Sequence, residues 1–438
     1  MSAEGNDASR NRSSVKRTLG EFKPILTLSI SEGGSRMVSF AFYLVAARVL
    51  EPGGFGVFRY TTALAGLAFA GVQVVAMSTN RELGAARGSS RNTSAVLGTG
   101  LGVAAVVLVI SALLSSFAAL AGLTGSAHTL GLLGVLAGKA VFELYYSIGR
   151  GVGLVRRMAL TYLGGSAAQL ALLGIVVATA RPTAIVVLWI FAGSYVLPVA
   201  ALELLRPIVR GRGLTVNRVT AHRLAVLATP LMAAHVAYIV WNTADTIWVE
   251  NQLGTQQIGI YSAARNLSQM FAILPSAAYG VVMPRVAELR VAGDDRHARR
   301  LVYAATLVVA GSTSLVALVV IALRLPILRT LYGEAYVPAA PSLVALAAVG
   351  VLYATFVMLS SSAVGWGRPG IYTSAMIVAT VAEIAYLLFL TEHLGGLKAS
   401  TAALASASSI GLALLVVLGQ LYIKPLGRAK RSAVPTTE

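Results

Sequence analysis

Eight charged side chains sit where the surrounding sequence is otherwise apolar: Glu32, Arg36, Arg59, Lys139, Glu143, Asp245, Arg265 and Glu383. An arginine at the centre of a membrane helix costs roughly 2.5 to 3.5 kcal/mol on insertion scales, so it persists mainly where it faces a watery or protein-lined interior. Glu32 and Arg36 are four residues apart and share one helix face, with the acid nearer the N-terminus, which is the favoured order for a pair. Lys139 precedes Glu143 by the same spacing in the less favourable order, so mutual stabilisation explains that pair poorly. Arg36, Arg59, Lys139 and Arg265 together would line a cationic chamber, supported by Glu32 and Glu143. Asp245 and Glu383 are carboxylates suited to a hard cation or a proton. Each reading has a plainer rival. Glu32 and Arg36 could be a self-neutralised structural pair, Arg59 could snorkel to the surface, and Asp245 or Glu383 could salt-bridge Arg265.

The elements that must carry these groups are membrane helices. The chain has 438 residues, 56% hydrophobic and 12% charged, with a mean hydropathy of +0.76. Soluble domains carry about twice that share of charge. Apolar runs long enough to cross roughly 30 Å of hydrocarbon recur throughout: near 25–49, 55–79, 95–123, 128–149, 158–180, 184–206, 223–250, 257–284, 300–323, 339–364, 369–391 and 399–423. The sequence predicts an all-α integral membrane protein of twelve transmembrane helices, in two six-helix lobes around a central cavity. The lobes are expected at 24–206 and 223–423, joined by a basic cytoplasmic linker at 207–222. A basic tail, 1–23, and a second tail, 424–438, would be cytoplasmic, the first without stable structure. No cleavable signal is recognised. Without cysteine, thiolate chemistry and disulfides are excluded.

The net charge of +18 could suggest nucleic acid, but its distribution argues otherwise. Twenty-six of the 35 Lys and Arg residues fall in segments that are cytoplasmic if both termini are inside, against Arg181, Arg324, Arg329 and Lys398 in the outer loops. That loop-by-loop alternation is the positive-inside pattern and places the protein in the cytoplasmic membrane as a multi-pass chain with no nucleic-acid partner.

An internal repeat supports two like-oriented halves. An offset of 203 residues brings Leu50 onto Leu253, Gly56 onto Gly259 and Phe58 onto Tyr261, and makes Thr62 the mate of Arg265. A second echo, at an offset of 212, pairs Gly153-Leu-Val-Arg156 with Gly365-Trp-Gly-Arg368. Pro198, Pro230, Pro275 and Gly280 mark expected bends, with Pro275 as the favoured hinge.

Ala47-Arg-Val-Leu-Glu-Pro-Gly-Gly-Phe-Gly56, Asp245-Thr-Ile-Trp-Val-Glu-Asn-Gln-Leu-Gly254, Ile258-Gly-Ile-Tyr-Ser-Ala-Ala264, Leu331-Tyr-Gly-Glu-Ala-Tyr-Val-Pro-Ala-Ala-Pro341 and Gly365-Trp-Gly-Arg-Pro369 resemble, in that order, the Wzx-like polysaccharide flippases of the multidrug, oligosaccharidyl-lipid and polysaccharide exporter superfamily. The likeness covers nearly all of 24–423. It implies translocation of a polyprenyl-pyrophosphate-linked glycan from the inner to the outer leaflet by alternating access, with no catalytic residue. The planar donor fork of arginine suits pyrophosphate oxygens. Related lipid II flippases place a coupling sodium between acids of the seventh and eleventh helices. The resemblance therefore assigns a coupling Na+ or H+ to Asp245 and Glu383, and no other cofactor. Membrane lipid, polysaccharide polymerase and glycosyltransferases are the implied partners, and a monomer suffices.

Rival functions remain open at this point. A cation-coupled multidrug extruder of the same superfamily would want an acidic, aromatic cavity. A precursor exporter for lipid II or a teichoic-type polymer would share most of the chemistry. A membrane glycosyltransferase or polymerase would need paired acids in an outer loop, and the longest such loop, about Arg324 to Pro338, offers only Glu334.

Overall fold

A computed structural model of the chain describes residues 4–87, 93–120, 126–205, 207–208, 214–393 and 398–423. The described residues form helices α1 (Glu4–Arg87), α2 (Thr93–Leu120), α3 (Ser126–Gly151), α4 (Val155–Thr179), α5 (Ala184–Leu205), α6 (Arg218–Leu253), α7 (Thr255–Gln269), α8 (Ile273–Val291), α9 (Asp295–Ala322), α10 (Arg324–Leu331), α11 (Ala340–Gly365), α12 (Pro369–His393) and α13 (Ala399–Ile423). α1 is two helices in one, since Glu51 is non-helical with φ 56° and ψ 174°. α7 and α8 are joined end to end by a 3₁₀ turn, Met270–Ala272. Counting the two arms of α1 separately and α7–α8 as one, and setting aside the eight-residue α10, the described residues contain the twelve helices expected. Among the described residues, nine stretches meet the length and apolarity needed to cross a membrane, with Gly33–Ala86 taken as one.

By compactness the chain divides into two units, 1–50 with 61–232, and 51–60 with 233–438. In the first, α3 packs on α5, α2 and α4, and α4 also packs on α5. In the second, α11 is the hub, touching α13, α9, α8, α7 and α12. Its sequence explains that position. Ala345, Ala347, Gly350, Ala354, Ser360 and Ala363 are buried small residues, which let neighbouring backbones approach where dispersion and packing drive association. Outward faces are apolar too: Val106, Val109, Ile110, Leu113, Leu114 and Phe117 of α2 are all exposed, as a hydrocarbon surround requires.

The repeat is visible in the backbone. Glu51 and Gly254 are related by the 203-residue offset and share a positive φ (56° and 83°) with the same ψ of 174°. Each ends one helix and starts the next. The second echo is shifted by two residues from the sequence alignment. The left-handed turn residues are Gly153 (φ 88°) and Gly367 (φ 73°), not Gly365. Gly153 N–H donates to the Arg150 carbonyl and Leu154 N–H to that of Gly149. Gly367 donates to Val364 and Arg368 to Ala363 in the same pattern. Positive φ at the turn, rather than the Gly-Xaa-Gly string, sets the equivalence.

Two further features differ from expectation. The segment expected as an outer loop is helix α10 followed by a 3₁₀ turn, Glu334–Ala339. Arg329 holds Glu334 through two bonds of 2.6 and 3.0 Å across that turn. The helix near Pro275 is interrupted by the 3₁₀ turn just before it, where proline has no N–H to bond the Phe271 carbonyl.

Candidate functional site

The second unit holds a buried polar cluster assembled from α6, α7, α12 and α13. Helical spacing puts the groups there in pairs. Asn242 and Asp245 are three apart on α6, Tyr261 and Arg265 four apart on α7, Ser406 and Ser409 three apart on α13, and Glu383 stands on α12.

Asp245 is fully buried, and both its oxygens are occupied. Arg265 Nη1 lies 2.7 Å from Oδ2, and the Tyr261 hydroxyl donates to the same oxygen at 2.5 Å. Oδ1 accepts from the Thr246 backbone N–H at 2.7 Å and from its hydroxyl at 3.2 Å. Arg265, 5% exposed, also donates from Nη2 to the Asn242 backbone carbonyl at 2.8 Å. A buried charge is tolerable only when paired and hydrogen-bonded, and this pair meets both conditions.

Glu383 is also fully buried. Ser406 donates to its Oε1 at 2.7 Å and Ser409 to its Oε2 at 2.6 Å. Trp241 Nε1 donates to the Ser409 hydroxyl at 2.9 Å, and its ring stacks on Tyr353, centroids 5.6 Å apart. The chain of contacts thus runs from α6 through α13 to Glu383. Trp248, the other tryptophan flanking Asp245, donates to Thr391 at 2.8 Å. If a cation entered here, Asp245 and Glu383 would supply charge and Ser406 and Ser409 neutral oxygens, with the Arg265 guanidinium as its competitor for Asp245. Among the described residues, no group of three or more His, Cys, Asp or Glu side chains could hold a metal ion.

The remaining candidates are distributed as follows. Arg59 is half-buried in the second unit, and its charge reaches the Tyr332 hydroxyl. Burial raises the pKa of that hydroxyl well above its ordinary value, against the opposing effects of its hydrogen bond with Asn266 and the Arg59 charge. Asn266 Nδ2 donates to it at 2.9 Å. In the first unit, Arg36 is exposed and Lys139 and Glu143 are half-buried. The Lys139 ammonium lies 5.3 Å from the Phe69 ring centroid, within cation–π range. The side chain of Glu32 lies outside the described residues. His235 buries Nε2 without a partner among the described residues. The structure therefore brings together Arg265, Asp245 and the neighbourhood of Glu383, while Arg36, Lys139 and Glu143 belong to the other unit.

Sequence reasoning missed Asn242, Ser406 and Ser409. Polar residues repeating at three- or four-residue intervals within otherwise apolar helices were the available signal. Serines in membrane helices also satisfy their own backbone, as Ser360 does by donating to the Phe356 carbonyl, so the pattern alone is ambiguous.

Comparison with known proteins adds the family. Residues 45–341 match the model of the family described as polysaccharide biosynthesis protein. A search of curated proteins finds no relative by sequence. Among solved structures, the chain is similar to an inward-facing multidrug resistance MATE family transporter of the MOP superfamily, with a TM-score of 0.75 at 13% identity over 93% of this chain and 99% of that one. It is also similar to the lipid II flippase MurJ in an inward closed conformation, with a TM-score of 0.73 at 14% identity, covering 91% and 87%. A third is a MOP superfamily transporter from Pyrococcus furiosus described as having a binding pocket of reverse polarity, with a TM-score of 0.62 at 16% identity over 93% and 97%. At such identities these likenesses establish the fold. With its family model matched over more than half its length and its helices arranged as in the transporters of that superfamily, the chain belongs to the polysaccharide biosynthesis protein family.

Proposed function

We propose that the protein is a flippase for a polyprenyl-pyrophosphate-linked oligosaccharide, carrying it from the inner to the outer leaflet of the cytoplasmic membrane by alternating access. The family match over 45–341 carries this reading. The likeness to a protein named as a lipid II flippase supports it. Arg36, Arg59 and Lys139 would meet the pyrophosphate: Arg36 is exposed, Arg59 and Lys139 are partly buried, and none lies in the closed Asp245–Arg265 pair. Asp245 and Glu383 would couple transport to a cation or proton that competes with Arg265. No catalytic step is part of the mechanism.

The test is a reconstituted flipping assay in liposomes, reading how much lipid-linked oligosaccharide becomes accessible to an impermeant reagent. Loss of a charge-assisted contact is worth 1.5 to 3 kcal/mol, so Arg59→Gln and Lys139→Gln should each slow flipping by at least about tenfold with unchanged insertion. Undiminished rates in Arg36→Gln, Arg59→Gln and Lys139→Gln together would remove the cationic recognition of the substrate.

A further inference from the structure

A cavity of about 630 Å³ opens at one end of the first unit, where α4 begins and α5 finishes. Its lining includes Leu154, Arg156, Arg157, Leu160, Leu202 and Leu205. None of its lining residues belongs to the polar cluster of the second unit or is among those assigned above to transport. Both α4 and α5 are long and apolar enough to span a bilayer, so their ends lie where lipid headgroups begin.

The cavity combines two chemistries. Leu160 and Leu205 are 62% and 78% exposed, an apolar wall that in a membrane faces acyl chain. Arg156 is exposed at the first turn of α4, and Arg157 beside it is half-buried. Arg157 Nη2 donates to the Leu202 carbonyl at 3.2 Å. That contact ties the start of α4 to the last turn of α5 and holds a guanidinium at the cavity wall. α4 also begins without a side-chain cap, Leu154 standing at its N-cap position, so its first N–H groups add a favourable field for an anion. Glu203 lies on the same last turn of α5; its Oε2 accepts the Ile208 backbone N–H at 2.8 Å, and the Tyr145 hydroxyl lies close to both Glu203 and Arg157.

We infer that this cavity binds the phosphate headgroup of an anionic phospholipid of the surrounding bilayer. Arg156 and Arg157 grip the phosphate, and Leu154, Leu160, Leu202 and Leu205 take the first carbons of an acyl chain. Paired basic and apolar walls between membrane helices fit a lipid, which brings both parts at once. A soluble phosphate would leave the leucines unused. The inference needs only that α4 and α5 span the membrane and stands whether or not the flippase reading does.

The experiment is native mass spectrometry of the full-length protein in detergent, titrated with phosphatidylglycerol, phosphatidylcholine or inorganic phosphate. The wild type should retain phosphatidylglycerol in preference to phosphatidylcholine. The double substitution Arg156→Gln, Arg157→Gln should weaken that retention by about thirtyfold, from the usual contribution of two basic residues near an anionic headgroup. Leu160→Trp, which fills the mouth and leaves the charges in place, should weaken it as well. It decides the matter if the double variant fails to fold. Equal retention of phosphatidylcholine, displacement of the lipid by an equal concentration of inorganic phosphate, or wild-type retention in the folded variants would each overturn the inference.

Discussion

Asp245 and Arg265 show what a single charged pair can and cannot do at full burial. Four donors converge on the Asp245 carboxylate, so removing either partner strands the other in a medium that will not solvate it. Asp245→Asn or Arg265→Met alone should cost about 3 to 5 kcal/mol of stability. The paired substitution Asp245→Leu, Arg265→Met should recover most of that loss, because apolar groups of similar volume replace the ions without an orphan charge. Thermal unfolding followed by tryptophan fluorescence, with Trp241 beside the cluster, measures it. Single variants as stable as the wild type would mean that the pair is not closed as described. A stable double variant that no longer flips its substrate would separate a transport role from a structural one. The charges were legible in the sequence because ions are rare in apolar runs. Which acid meets which cation was not, since a helix fixes the face a residue occupies but not the neighbour opposite.

At the scale of elements, the offset of 203 residues read from Gly56 and Gly259 has a spatial meaning. A Cβ added at Gly56 would lie 1.9 Å from the Thr255 carbonyl oxygen, and one added at Gly259 would lie 1.8 Å from that of Pro52. Pro52 and Thr255 are themselves repeat-mates. The start of the second arm of α1 and the start of α7 therefore cross reciprocally, each glycine against the other helix's first residue. Gly56→Ala and Gly259→Ala should each destabilise by about 2 to 4 kcal/mol, as overpacking against unyielding backbone does. Together they should cost far less than the sum, because one parting of the helices relieves both clashes. A double-mutant cycle by chemical unfolding reads the coupling, and strict additivity would refute a shared crossing. The repeat could be found by sliding the sequence on itself. Its second register, at Gly153 and Gly367, could not, because positive φ leaves no unique mark in a stretch with glycines at both 365 and 367.

For the whole molecule, the twelve helices were legible from hydropathy, since a span is a length of apolar residues and little else. The grouping of the chain was less so. Residues 51–60 belong with the second unit although their neighbours on both sides belong with the first. Their contribution there is substantial: Phe55 and Phe58 are fully buried and stack at 6.2 Å, and Phe55 meets the Tyr336 ring edge-on at 6.3 Å. A chain cut within 207–222 should therefore give fragments that co-purify when made together. The C-terminal fragment made alone, missing those two rings, should unfold at a lower temperature than in the pair. Equal thermal stability of the lone fragment would show that the ten residues add nothing to it. The same arrangement imposes an order in time. During synthesis at about 5 to 20 residues per second, residues 51–60 emerge roughly 10 to 40 s before α7, the helix they cross, has been made. For that interval a newborn decapeptide carrying Phe55 and Phe58 must be sheltered by lipid or by the insertion machinery, and it can take its seat only after more than half of the polypeptide has left the ribosome.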